Sequence, residues 1–288
     1  MEPSFDRTLE DVGNIVHLEH VNVRQPDQQL ATIFYITALG LTRDPYMMVG
    51  VDNMWVNIGR SQMHLPTGNP QRIRGTIGLV MPDLHALMKR LRDAAALLSD
   101  NQFGFHELEK FVEATCPWGN RFRCHAPSPE LGETQLGIAY VEFTVPAGTA
   151  THIARFYREI MNASANVSPQ DGSVTARVGA GGHQRLIFRE TGEDLPAYDG
   201  HHVQIYIADF SGPYRRLLER NLITRDVDPH EWRFRDIVDL DTNEVVFTIE
   251  HEVRSLKHPL YARPLVNRNP EQNNLNYIRG KDGFSGTF

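Results

Sequence analysis

Residues 201–217, HHVQIYIADFSGPYRRL, repeat the pattern of residues 75–91, GTIGLVMPDLHALMKRL. Each is a short run of alternating apolar residues, then a turn, then an amphipathic stretch. In the later copy Val203, Ile205 and Ile207 alternate along an expected strand, and Tyr214, Leu217, Leu218 and Leu222 then recur at helical spacing. Asp209 and Ser211 stand where that helix needs a cap. A second pair of segments behaves alike. LEHVNV at 18–23 leads into an amphipathic stretch through Ile33-Phe34-Tyr35, as AYVEFTV at 139–145 leads into Phe156-Tyr157-Arg158-Glu159-Ile160. His20 aligns with Glu142 and Phe34 with Phe156 at one constant offset. Self-similarity of this kind marks a repeat architecture, here two half-chains that each hold two units.

Three short extended segments follow each strand and helix. In the last unit they are ITRDVD, WRFRDIVDL and VVFTIEHEV, with Asp241-Thr242-Asn243 as the turn between the last two. In the second unit Pro117-Trp118-Gly119-Asn120 turns into RFRCH. This order predicts an α+β fold of four βαβββ modules at 15–74, 75–137, 138–200 and 201–257. The halves 15–137 and 138–257 are the expected domains, joined near Pro127-Ser128-Pro129-Glu130-Leu131-Gly132. Residues 258–288, rich in Asn, Pro and Gly, are expected to form an extended tail.

Bulk properties narrow the function classes. With 288 residues, 41% of them apolar, the chain can bury real cores. The formal net charge is −7 and no basic cluster could neutralise a row of phosphates, which argues against nucleic acid as a partner. No apolar run approaches the roughly 20 residues that span a bilayer, and MEPSFDRTLEDVGN lacks the basic and apolar regions of a secretory leader. The expected location is the cytoplasm. Cys116 and Cys124 are too few for a disulfide framework and too far apart for a CxxC site, so both are read as reduced core or strand thiols.

Taken in order, the tandem βαβββ units, the opening strands HVNV and HHVQIYIAD, the fourth strand GRSQMHL and the hairpin PWGNRF resemble the vicinal oxygen chelate superfamily. That group includes glyoxalase I, methylmalonyl-CoA epimerase, bleomycin and fosfomycin resistance proteins and extradiol ring-cleaving dioxygenases. The resemblance covers residues 15–257. It implies two tandem glyoxalase-like domains whose modules curl into half-open barrels, with metal ligands on the first and last strands of a module. Carried onto this sequence, those positions are His20 and His64, Thr76 and Arg123, Glu142 and a residue near Ile187, and His202 and Glu250. Pairing of consecutive modules implies a metal set of Glu142, His202 and Glu250, and a structural N-terminal domain. Pairing of the first module with the fourth implies His20, His64, His202 and Glu250 instead. His202 is chosen over His201 because His201 shares the side of Val203, Ile205 and Ile207. Glu252 is the alternate to Glu250.

The same resemblance relates GGHQRLIF (181–188) to a family segment with two adjacent histidines beside the metal. His183 stands for the first and Gln184 replaces the second, whereas His230 in DPHEWRF takes the place of a proton donor or oxyanion partner. The implied activity is that of a metal-dependent enzyme chelating neighbouring oxygens of a small organic substrate, foremost a dioxygenase with Fe(II) or Mn(II). The alternatives are a glyoxalase-like lyase or isomerase with Zn(II) or Ni(II), and a metal-free small-molecule-binding protein. A small-molecule substrate is the expected partner, with no nucleic acid and no membrane; association of the chain with itself stays open.

Overall fold

The structure is a computed structural model that describes residues 5–47, 52–132, 134–170, 172–265, 269, 271–273 and 276–280. The four expected modules are all present. The first is β1 (Ile15–Asn22), α1 (Gln28–Ala31), β2 (Thr42–Arg43), β3 (Asn53–Ile58) and β4 (Ser61–Pro66). Helix α1 runs on into a wider π-helical turn over Thr32–Ala38, along which the consecutive Phe34 and Tyr35 are both fully buried. The second module is β5 (Gly75–Val80), α2 (Leu84–Ala94), β6 (Gly104–Glu107), β7 (Val112–Thr115) and β8 (Arg121–His125). The third is β9 (Gly137–Pro146), α3 (Ala150–Glu159), β10 (Ala165–Gln170), β11 (Ser173–Ala180) and β12 (Gln184–Thr191). The fourth is β13 (His202–Ile207), α4 (Ser211–Leu218), β14 (Ile223–Asp228), β15 (Glu231–Val238) and β16 (Val245–Ser255).

Local chemistry explains where these elements start and turn. Asp83 accepts the Ala86 amide at the head of α2, and Asp209 accepts the Gly212 amide at the head of α4. The β15–β16 turn is held by Asp239, which accepts the amides of Asp241 and Thr242, while Asn243 takes a left-handed conformation at φ 62°. Cys116 and Cys124 are buried free thiols.

The sixteen strands form two eight-stranded sheets, β14-β15-β16-β13-β1-β4-β3-β2 and β10-β11-β12-β9-β5-β8-β7-β6. In every module the opening strand runs parallel to the last one, and modules join antiparallel through their opening strands, β1 with β13 and β5 with β9. The first module therefore pairs with the fourth, and the second with the third. A division of the chain at 137/138 falls at the start of β9 and parts β9 from β5 in the second sheet and β13 from β1 in the first, so neither half holds a complete sheet. The halves are instead units of apolar packing. Phe34 of the first module meets Phe122 of the second at 5.6 Å, and Phe156 of the third meets Phe234 of the fourth at 5.9 Å. Hydrogen bonding and side-chain packing thus link different pairs of modules, and a single continuous core results.

Two further connections matter for the site. Gln184, at the start of β12 in the second sheet, donates to Leu18 O at 2.8 Å and Ile138 O at 2.9 Å and accepts from the Leu18 amide at 3.0 Å, so it staples the sheets together. The described part of the tail folds back on the first sheet. There the Arg263 guanidinium donates to buried Asp44 at 2.7 Å and Leu260 packs near Tyr46, Met47 and Trp55. The end of the expected tail, 281–288, lies outside the described residues.

Candidate metal centre

Residues paired across neighbouring strands project to the same side of a sheet. In the first sheet His20 is opposite Gln62 and Gln204, Asn22 is opposite His64 and His202, and His202 and Gln204 are opposite Glu250 and Glu252. One face therefore gathers three histidines, two glutamates and three amides, while the alternate residues Val21, Val203, Ile205 and Val253 enter the core. So dense a polar set is costly to bury without partners.

Three of these side chains converge. His202 Nε2 lies 3.3 Å and His20 Nε2 3.9 Å from the same Oε2 of Glu252, and the three donor atoms are all within 4.8 Å of one another. All three residues are buried. Among the described residues neither Nε2 has a hydrogen-bond partner, nor, on the same face, do the side-chain amide of Gln204 and the Tyr206 hydroxyl. The other nitrogen of His20 is engaged: Nδ1 lies 2.8 Å from the Glu19 carboxylate, which fixes the ring and directs the Nε2 lone pair at the cluster. His64 is also on this face, 5.9 Å from His20 between ring centres, but its two nitrogens are bridged to Asn22 and Asn53 and its ring stacks on Trp55.

Charge surrounds the donors. Arg233 bonds Glu231, Glu250 and Glu252 at 2.9, 3.0 and 2.6 Å, and Arg254 bonds Glu231 and Glu252 at 3.0 and 2.6 Å and faces Glu19 at 3.9 Å. Burial alone would raise the Glu19 carboxyl, but its bond to His20 and the charges of Arg254 and Arg263 hold it at about 2. Glu252 is likewise kept well below the carboxylate range, with Arg254, His202, His20 and Arg233 overcoming the cost of burial. Burial lowers His202 below the ordinary imidazole value against the pull of Glu252, so the ring is neutral near pH 7 and available as a ligand. Four carboxylates, Glu19, Glu231, Glu250 and Glu252, thus face two guanidiniums, an excess of two negative charges. The charge and the two unpaired imidazole nitrogens fit a divalent cation.

The residues singled out in the sequence divide into groups. His20, His202 and Glu250 are on the expected face, but Glu252 supplies the converging carboxylate. Glu250 points to Arg233 and lies 3.7 Å from His202 Nδ1. Glu142 does not join them: β9 belongs to the second sheet, where Glu142 pairs with Arg189 at 3.1 Å and Arg123 at 3.6 Å. A Glu142, His202, Glu250 triad is therefore not assembled, because the third module pairs with the second. His230 turns to Ser255 and His258. His183 lies over Gly132 and lines a cavity of about 570 Å³ at the junction of the sheets, and Gln184 is the staple described above. Sequence reasoning missed Glu19, Glu231, Arg233 and Arg254. The signal was the charge alternation of EWRFR and EHEVR, which the β15–β16 register matches by setting Arg233 opposite Glu252 and Glu231 opposite Arg254.

No protein-family model matches the sequence, and no curated protein sequence matches it. The fold does have solved counterparts. Glyoxalase I from Zea mays superposes with a TM-score of 0.56 at 13% identity, over 83% of this chain and 92% of that one. A protein of Bacillus subtilis subsp. subtilis str. 168, proposed to be a dioxygenase, superposes with a TM-score of 0.58 at 14% identity, over 90% of this chain and 89% of that one. At such identities the likeness speaks for the fold alone. With two sheets each built from a pair of βαβββ modules, the chain shares the fold of these two structures.

Proposed function

We propose that His20, His202 and Glu252 bind a divalent metal ion and that the protein is a metal-dependent enzyme of the oxygen-chelating kind, acting on a small organic substrate with two neighbouring oxygens. One observation carries this reading: two unpaired imidazole nitrogens and one carboxylate oxygen, all buried, face a common point. Two histidines and one carboxylate form the donor set associated with non-haem Fe(II) oxygenases, which leaves coordination positions open, so a dioxygenase is the favoured activity. A bound ion would supply Lewis acidity, lowering the pKa of a chelated hydroxyl. Glu19 orients His20, and Arg233 and Arg254 hold Glu252 in place. The Glu250 carboxylate, 28% exposed and the most open of the four, is the base within reach of a substrate proton. The lyase or isomerase reading keeps one specific support, His64, which shares the face and would add a fourth ligand if it left Asn22 and Asn53.

Metal analysis and titration with Fe(II), Mn(II), Zn(II) and Ni(II) test the proposal. One ion per chain is expected, lost in His202→Ala and in Glu252→Ala. Oxygen uptake with vicinal diols then separates a dioxygenase from a lyase. Full metal occupancy in the His202→Ala protein would overturn the assignment.

A further inference from the structure

Residues 258–265 cross the polar face of the first sheet without joining it as a strand. Their backbone bonds close local turns, from the His258 amide to Ser255 O, the Tyr261 amide to His258 O and the Arg263 amide to Leu260 O. Among the described residues this backbone is reached from another strand at Leu265 O alone, by the Asn57 side-chain amide at 3.3 Å. Beneath the segment a cavity of about 450 Å³ remains, walled on one side by His17, Glu19 and Tyr206 of the sheet and on the other by residues 260–265. The chain bridges a void here instead of packing flat on the strands.

Side chains do most of the anchoring. Arg263 Nη2 donates to Asp44 at 2.7 Å and to Gln62 at 3.3 Å, both charges are buried, and the guanidinium lies 5.0 Å from the Tyr46 ring centre. Asp44 is fixed to receive it, because its carboxylate also accepts the amides of Tyr46 and Met47 and the side chain of Gln62. Tyr261 packs on Tyr206 at 4.8 Å between ring centres, and Leu260 packs against the cluster of Tyr46, Met47 and Trp55. Between these anchors Ala262 is held left-handed at φ 51°, a conformation that costs a residue with a Cβ free energy. A buried ion pair returns little more than the desolvation of its own charges. The pair therefore fixes where the segment docks without making the docking strong.

The anchors reach the metal centre by three routes. Gln62 is opposite His20 across β1 and β4, Trp55 meets the His20 ring edge-on at 4.9 Å, and Glu19, which holds His20 Nδ1, lines the cavity. The charge of Arg263 also helps to hold the Glu19 carboxyl low. We infer that residues 258–265 are a releasable strap, latched by the Arg263–Asp44 pair, that walls in the cavity beside His20, His202 and Glu252 and controls the passage of ions and small molecules to them. The part that concerns ions rests on the metal reading proposed above, whereas the latch rests on the packing of the segment alone.

The test compares the full chain with a variant carrying Asp44→Asn and Arg263→Met together, so that neither charge is left buried and unpaired. Trypsin reports the latch, because the bond between Lys257 and the buried His258 is open to cleavage when the strap has left its place. Cleavage there, identified by fragment mass, should be about tenfold faster in the variant, since it tracks the population of the open form. Co(II) reports passage. Its release from the loaded protein to EDTA should be about tenfold faster in the variant, with a dissociation constant within about threefold of the parent's because the three ligands are untouched. Tyr261→Ala, which loosens the strap without disturbing a buried charge, should act in the same direction, and a cooperative melt verifies that each variant is folded. Equal cleavage rates would overturn the latch. Equal release rates, or a dissociation constant weakened in proportion to release, would overturn control of passage. A parent that takes up no Co(II) would sink the metal reading and the passage of ions with it, while the cleavage rates still judge the strap.

Discussion

Glu250 and Glu252 face the same way on β16, two residues apart, but their neighbours give them different work. Glu252 is buried against both histidines and two arginines, whereas Glu250 is partly open and tied to Arg233. Glu252→Gln should therefore abolish metal binding. Glu250→Gln should keep one ion per chain and lower turnover by about 10²-fold or more, as expected for loss of a general base. Loss of metal from the Glu250 variant with retention in the Glu252 variant would exchange the roles. His251, between them, faces the other way. It stacks on Phe234, its Nε2 meets the Tyr157 hydroxyl at 2.6 Å, and complete burial pushes it down to about 3 from 6.5. Because the unfolded chain takes up a proton that the folded chain refuses, stability should fall as the pH drops from 6.5 towards 3. The contribution is about 1.4 kcal/mol per pH unit. Urea unfolding between pH 6.5 and 5 checks this, and the slope should be shallower in His251→Gln; equal slopes would refute it.

Among the elements, Gln184 at the head of β12 has the widest reach. Its amide serves β1 and β9 at once, and Ser61 as well at 3.1 Å. Gln184→Ala strands these buried groups and should cost about 1–3 kcal/mol, read from the midpoint of urea unfolding. A change within a few tenths of a kcal/mol would mean that water replaces the amide. The residue at 184 was legible in the sequence as a departure from a paired-histidine segment, but its structural role was not, because its partners are backbone groups of two remote strands. The strands and helix of the fourth module were legible in the sequence. ITRDVD is β14 in full, and of the two expected cap residues Asp209 accepts the Gly212 amide in the first turn of α4 while Ser211 is already inside the helix. The facing of His202 was also legible from the alternation of Val203, Ile205 and Ile207. The choice between Glu250 and Glu252 was not, since residues two apart share a face and only the cross-strand arginines separate them.

At the scale of the molecule, module pairing was the part that the sequence left open, for a physical reason. Each opening strand offers the same antiparallel edge whichever partner it takes, and the apolar faces of the helices are satisfied within each half. The structure resolves it as first with fourth and second with third. Residues 1–137 and 138–288 made as separate chains should accordingly fail to fold as monomers, and should co-purify as a one-to-one complex when expressed together. Circular dichroism and size exclusion check this. A well-folded monomeric half with a cooperative melt would contradict it.

Nested pairing also sets a calendar for the nascent chain. The sheet of the second and third modules is complete once β12 has left the ribosome, while β1 must wait for β13 of the fourth module, and that sheet closes only when β16 has joined β13 and β15. His20 is in β1 of the first module and Glu252 in β16 of the fourth, so the two meet only after all four modules have been made. Any chain that stops short of β16 lacks both the Glu252 carboxylate and the strand that pairs with β13, so His20 and His202 are left without their common partner.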